Sequence, residues 1–160
     1  MYRILIVDDE KIERTGLRLL LGKMDQKFEI TEAVNGKEAL EWLSCNRADI
    51  LVTDIRMPFM DGLELSRMVK AELPDIKIVI LSGYDDFEYA KQAIKIGVAE
   101  CLLKPVSSAV LLEHLSEIAE KVRDEREDLA LKKVYYQEME ENEELIKMKF
   151  LGELISGKLS

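Results

Sequence analysis

Asp49-Ile-Leu-Val-Thr-Asp-Ile-Arg-Met-Pro-Phe-Met-Asp-Gly62 passes from one kind of structure to another within a few residues. Residues 49–53 form a short apolar run, the pattern of a strand buried on both faces. Pro58 and Gly62 then punctuate a loop. Residues 62–73 space Leu63, Leu65, Met68 and Val69 as a helix packed on one side does, and Pro74 stops it. Between the run and the loop stands Asp54. A carboxylate leaving the end of a buried strand is costly to place unless something pairs with it, so the surroundings of Asp54 become the question for the whole chain.

The same strand, loop and helix recur outward in both directions. Upstream, residues 3–7 (RILIV) are a β-branched apolar run closed by Asp8-Asp9-Glu10, and residues 11–23 carry Ile12, Gly16, Leu17, Leu20 and Leu21 at helical spacing. Residues 28–33 are a second strand interrupted by polar residues, Asn35-Gly36 is a turn, and residues 37–45 place Ala39, Leu40 and Leu43 on one helix face. Downstream, residues 76–81 (IKIVIL) are a fourth strand, residues 85–96 a helix stopped by Gly97, and residues 101–103 a fifth strand ended by Lys104-Pro105. Five alternations of strand and helix predict an α/β domain with a five-stranded parallel sheet and helices on both faces. The common five-strand solution has the order 2-1-3-4-5, with ligands outside the carboxyl ends of the strands.

Composition narrows the function classes. The net charge is −9 over 160 residues, so no bulk attraction to nucleic acid or anionic lipid is expected. No apolar run is long enough to cross a bilayer, and the first residues read as a strand rather than a signal peptide. Cys45 and Cys101 form no CxxC pattern and are expected as buried or half-buried thiols in a reduced, cytoplasmic compartment. No nucleotide-binding, zinc-protease or serine-hydrolase motif appears. The single histidine, His114, reads as a surface or interface residue, Trp42 as packing, and the methionines as filler.

After Val106 the character changes. Residues 107–121 carry Leu111, Leu112, Leu115, Ile118 and Ala119 as a helix packed on the sheet would. Residues 123–149 are rich in charge, yet a heptad frame runs through Leu115, Ile118, Val122, Glu125, Leu129, Lys132, Tyr136, Met139, Glu143, Ile146, Phe150 and Glu153, with eight of the twelve positions apolar. The expected division is therefore a domain over 1–121 and a helical linker over 122–160. That linker is either a self-associating coiled coil or a solvated extension of the last domain helix. Residues 150–157 look like the opening of a further module.

The chemistry gathers at the strand ends. The first strand delivers Asp8 and Asp9, the third Asp54, the fourth Ser82 and the fifth Lys104. Three carboxylates in one small space raise one another's pKa or take a cation, and Mg²⁺ with its preference for oxygen ligands suits them. A lysine, a hydroxyl and a metal around a carboxylate describe a place to hold phosphate, with Asp54 as the nucleophile of an aspartyl-phosphate. Each residue alone has a plainer reading. The acids at 8–10 favour a helix N-terminus, Ser82-Gly83 makes a turn, and Lys104 is a surface lysine. Their joint occurrence, in order, is the specific signal.

As a set, residues 4–10 (ILIVDDE), 53–58 (TDIRMP) with Asp61-Gly62, 81–83 (LSG) and 103–105 (LKP) resemble the receiver domain of two-component response regulators over about residues 1–120. The resemblance implies the flavodoxin-like order given above. It implies that Asp54 accepts a phosphoryl group from a sensor histidine kinase, assisted by Ser82 and Lys104. It further implies that Asp9, Asp54 and the backbone carbonyl of Arg56 bind Mg²⁺ with help from Asp8, and that the Lys104–Pro105 peptide is cis. The wording of residues 82–106 with a long helix after it is similar to the YesN-like subgroup, whose members carry an AraC-type DNA-binding domain. DNA would then be reached only through a domain this chain is expected to lack, and the linker would make a homodimer. One residue departs from the family: Cys101 stands where many receivers carry an aromatic residue that swings inward when the hydroxyl on strand four moves. Tyr84, Phe87 and Tyr89 are the nearby aromatic substitutes. Two other readings compete. An aspartyl phosphohydrolase would want an acid at position 56, which is Arg56, and an unphosphorylated dimerisation module would not need the complete set of site residues.

Overall fold

Short runs buried on both faces alternate with one-sided helices, and the chain folds as that alternation dictates. The computed structural model describes residues 1–83 and 87–155. In chain order the elements are β1 (Tyr2–Val7), α1 (Lys11–Leu21), β2 (Phe28–Ala33), α2 (Gly36–Cys45), β3 (Ile50–Asp54), α3 (Gly62–Glu72), β4 (Lys77–Ser82), α4 (Phe87–Ile96), β5 (Glu100–Leu103) and α5 (Ser108–Ile155). The strands form one parallel sheet in the order β2-β1-β3-β4-β5, as expected. The three inner strands are near-continuous apolar runs because helices cover both their faces: Ile4–Val7, Ile50–Val52 and Ile78–Leu81 are all buried. The edge strands β2 and β5 are only partly buried, which is why polar residues interrupt their patterns.

The helices dock by narrow stripes. α1 buries Leu17 and Leu21, α2 buries Ala39 and Leu43, and α3 buries Leu63, Leu65, Ser66 and Val69. Asn35 and Asp61 cap α2 and α3, each accepting from the backbone N–H three residues on at 2.8 Å. The first turn of the last helix, α5, begins with Ser107 accepting from the N–H of Val110 at 3.2 Å, and Leu111, Leu115, Ile118 and Ala119 are buried.

Some expected core positions are not core. Ile12 is 84% exposed because it lies on the face of α1 opposite the buried Leu17 and Leu21, and Met68 is 43% exposed at the margin of the stripe that α3 buries. Cys45 is exposed and Cys101 is half-buried, and both are free thiols. Cys45 is therefore not the sheltered thiol expected, since it ends α2 next to the exposed cap Asn46. The helix expected over 85–96 begins at Phe87 among the described residues.

The chain divides into two units, residues 1–120 and 121–160. The second consists, over its described part, of the C-terminal portion of α5. Leu129, Tyr136, Met139, Ile146 and Phe150, all positions of the apolar heptad frame, are exposed along it. No helix among the described residues is long and apolar enough to cross a membrane.

One surface network in the first unit is unusually well made. Glu32 on β2 accepts from Arg18 at 2.8 and 3.0 Å through one carboxylate oxygen and from Arg14 at 3.1 Å through the other. The Arg18 hydrogen bond, then the charges of both arginines and the Arg14 bond, outweigh partial burial and hold the Glu32 carboxyl below its ordinary value of 4.5. The folded protein therefore keeps Glu32 ionised to lower pH than the unfolded chain does. Its contribution to stability is fully present above the unfolded value and is lost as pH falls through the folded one. Glu32→Gln removes that component, so its urea midpoint should fall less steeply than the wild-type midpoint below about pH 5. Parallel pH profiles for the two proteins would refute this.

Candidate functional site

The sheet order brings the acidic strand ends together. β1 and β3 are neighbours with Val7 opposite Thr53, so the residues that follow, Asp8 and Asp54, leave the sheet side by side. β4 lies on the other side of β3 with Leu81 opposite Asp54, and Ser82 lies opposite Leu103 on β5. Each side chain singled out from the strand ends of the sequence thus arrives at one edge.

Local bonds fix most of these groups. Asp8 is 2% exposed, and one of its carboxylate oxygens accepts from the N–H of Glu10 at 2.9 Å, turning the chain into α1. Asp54 Oδ1 accepts from the N–H of Ile55 at 2.8 Å, and Oδ2 lies 3.4 Å from the ammonium of Lys104. Carboxylate oxygens of Asp8, Asp9 and Asp54 all lie within 4.8 Å of one another. Burial is the main force that pushes the Asp8 carboxyl up to about 6 from 3.8; the Glu10 N–H opposes it and the charge of Asp54 adds to it. Three hard oxygen donors, one of them held out of water, are a donor set that suits Mg²⁺ and does not suit a soft metal. Arg56, whose carbonyl the resemblance implies as a further ligand, is exposed two residues after Asp54.

The hydroxyl and lysine side of the site is looser. Ser82 is fully buried, and its hydroxyl faces β5, donating to the carbonyl of Leu102 at 3.5 Å. The Cys101 thiol lies 3.8 Å from that same hydroxyl. Lys104 gives its backbone N–H to Ser82 O at 2.7 Å, and the Lys104–Pro105 peptide is cis, as the resemblance implied. Of the aromatic residues near Cys101 in sequence, Tyr89 packs half-buried against the core, Phe87 is exposed with Lys91 4.8 Å above its ring, and Tyr84 lies outside the described residues. His114 stands apart from the strand ends, its Nδ1 3.2 Å from a Glu100 carboxylate oxygen.

Several supports were not visible in the sequence pattern. Gly62 donates its N–H to Ile55 O at 2.7 Å, and a Cβ there would stand 2.2 Å from the backbone oxygen of Asp54. The Thr53 hydroxyl donates to that same oxygen at 2.9 Å. Gly36 makes room for Met60, whose sulfur would be 2.6 Å from a Cβ. Arg14 donates to the backbone carbonyl of Asp8 at 2.7 Å. The Asp61-Gly62 pair reads in sequence as loop punctuation, and the close approach it permits is a three-dimensional fact. Phe59, in the same loop, has φ +70° and a fully exposed ring.

Known proteins resemble this chain in sequence and in fold. The response regulator receiver domain family matches residues 4–116. The transcriptional regulatory protein YesN of Bacillus subtilis is 40% identical over 134 residues, covering 83% of this chain and 36% of the relative. The transcriptional regulatory protein HptR of Staphylococcus aureus is 41% identical over 112 residues, covering 69% of this chain and 44% of that protein. The chain thus spans less than half the length of these relatives. Among solved structures, the receiver domain of AraT from Geobacillus stearothermophilus superposes with a TM-score of 0.70 at 37% identity, covering 78% of this chain and 98% of that one. A two-component transcriptional regulator AraC from Clostridium phytofermentans gives 0.71 at 31% identity over 80% and 99%. With the sheet order, the acidic strand ends and the lysine before a cis proline all in place, the chain belongs to the response regulator receiver domain family.

Proposed function

We propose that this receiver is a phosphorylation-driven switch in which Asp54 accepts a phosphoryl group from a sensor histidine kinase. The observation that carries this reading is the approach of three carboxylates to within 4.8 Å, with Lys104 3.4 Å from that of Asp54. An oxygen of Asp54 forms the new P–O bond as the donor's P–N bond breaks. The electron pair returns to the histidine nitrogen, which takes up a proton. Asp8, Asp9 and Asp54, with the carbonyl of Arg56, would hold Mg²⁺. When bound, that ion neutralises and orients the transferring group. Lys104 exchanges its 3.4 Å contact with Asp54 for a phosphoryl oxygen. Ser82 turns from the Leu102 carbonyl to donate to another phosphoryl oxygen, since its present bond is long and easily given up.

The output is proposed as control of transcription through a DNA-binding module, in line with the regulatory names of the full-length relatives. We further propose that the helix over 122–155 pairs with a second copy. Its heptad stripe of Leu129, Tyr136, Met139, Ile146 and Phe150 is exposed along about 32 Å of helix at 1.5 Å per residue. Sedimentation should show a dimer that Leu129→Glu with Ile146→Glu converts to monomer. Beryllofluoride with Mg²⁺ should shift the equilibrium of the intact protein. A wild-type monomer at micromolar concentration would remove the pairing, and failure of an acyl-phosphate donor with Mg²⁺ to add one phosphoryl group, read by intact mass, would remove the phosphoacceptor.

A further inference from the structure

We infer that Arg14, oriented by Glu32, is a positioning residue that holds the acidic loop after β1 ready for its cation. The inference rests on the Mg²⁺ reading above and concerns residues that reading does not use. Three like charges within 4.8 Å repel one another, and repulsion tends to open the loop that carries Asp8 and Asp9. Something must hold that loop when no cation does.

The bonds around Asp8 show what holds it. Its N–H donates to Ala33 O on β2 at 3.2 Å, and its side chain accepts from Glu10 N–H at 2.9 Å. Its carbonyl, at the bend where the chain leaves the sheet toward Asp9, accepts from a terminal guanidinium nitrogen of Arg14 at 2.7 Å. The Arg14 side chain is 12% exposed, well sheltered for an arginine of a surface helix. Its Nε donates to Glu32 Oε1 at 3.1 Å, so two different edges of one planar group are engaged by two partners. Arg18 occupies the other Glu32 oxygen at 2.8 and 3.0 Å and keeps the carboxylate from rotating away. Lysine in place of Arg14 would retain a charge but could not present two fixed donors to two acceptors. The pair thus ties β2 and α1 to the main chain of the metal-binding loop. A loop fixed in its binding geometry binds more tightly because the ordering cost is already met. Outer partners of this kind change metal affinity by about 10- to 100-fold.

Two titrations of the whole chain test this: the Mg²⁺-induced rise in melting temperature, and the initial rate of labelling by an acyl phosphate against Mg²⁺ concentration. Arg14→Ala should raise the half-saturating Mg²⁺ concentration about 10-fold or more in both, while the labelling rate at saturating Mg²⁺ stays within about two-fold of wild type. Arg14→Lys should behave like Arg14→Ala, and Glu32→Gln should give a smaller shift in the same direction. Arg3→Ala, which breaks only the exposed 3.4 Å pair with Glu29, should shift nothing. Variants that melt lower without Mg²⁺ yet half-saturate at the wild-type concentration would overturn the inference, leaving Arg14 a purely structural residue. A wild-type half-saturation in Arg14→Lys would overturn the orienting role of the paired donors. If Arg14→Ala does not fold, Arg14→Lys and Glu32→Gln decide the matter. A wild-type protein indifferent to Mg²⁺ in both titrations would overturn the cation site itself, and the inference with it.

Discussion

Asp54→Asn protein is expected to take no phosphoryl group from an acyl-phosphate donor with Mg²⁺, a fall of more than about 1,000-fold, to background. The reason is electronic rather than steric. Asparagine has nearly the shape of aspartate and keeps an oxygen able to accept the Ile55 N–H now bonded at 2.8 Å. What it lacks is the anionic oxygen that attacks phosphorus. It also removes one of three clustered carboxylates, so repulsion with Asp8 and Asp9 falls and the variant should melt no lower than wild type without Mg²⁺. Loss of labelling with preserved folding separates a chemical role from a structural one. Labelling at a rate near wild type would place the acceptor elsewhere and sink the assignment of Asp54.

Gly62→Ala is expected to be strongly damaging for a single added methyl. A Cβ at this position would stand 2.2 Å from the backbone oxygen of Asp54 and 3.0 Å from the carbon of Asp54 and from Cα of Ile55. None of these is the tip of a flexible side chain, so the loop or the strand must move. The 2.7 Å bond from Gly62 N–H to Ile55 O draws the two segments together and resists that movement. Overpacking of this kind costs about 3 kcal/mol. In a domain of this size that is a melting temperature lower by roughly 10 °C. Because the atom displaced belongs to Asp54 itself, the surviving folded protein should also label more slowly. Gly16 supplies the contrast. A Cβ there meets nothing within 4 Å, and the residue is an exposed interior position of α1. Gly16→Ala should therefore stabilise by about 0.5–1 kcal/mol through helix propensity. Equal urea midpoints for the two variants would show that the close approach at Gly62 is not tight.

The legible part of this molecule is the part in which burial is total. Ile4–Val7, Ile50–Val52 and Ile78–Leu81 read as inner strands because both faces are covered and no polar residue is admitted. The strand ends followed from them, and with the strand ends came Asp8, Asp9, Asp54, Ser82 and Lys104. Boundaries shifted by a residue where the ladder outlasts the apolar run: Asp54 and Ser82 are the last residues of β3 and β4, not the first of the following loops. Helix faces were harder to read. Met68 sits at the edge of its stripe and Ile12 on the far side of α1 from Leu17 and Leu21, since the i, i+4 step from Ile12 through Gly16 to Leu20 drifts around the helix and does not fix which part of the stripe is buried. The supports of the site were hidden for a different reason. Arg14 and Glu32 are eighteen residues apart, and Gly62 matters through an atom eight residues earlier. Such pairings are set by how segments stack, and local pattern carries no trace of them.

The atoms around Asp54 differ sharply in stiffness. On one flank its carbonyl is boxed between the Thr53 hydroxyl at 2.9 Å and the Cβ-less Gly62, with the Gly62 N–H closing on Ile55 at 2.7 Å. On the other, Ser82 is held by a 3.5 Å bond and a thiol at 3.8 Å. The Ser82 carbonyl is nonetheless pinned by the Lys104 N–H at 2.7 Å. On the proposed reading, a group added at Asp54 finds the main chain fixed on both sides, and the Ser82 hydroxyl beside Cys101 is the part with freedom to turn toward it.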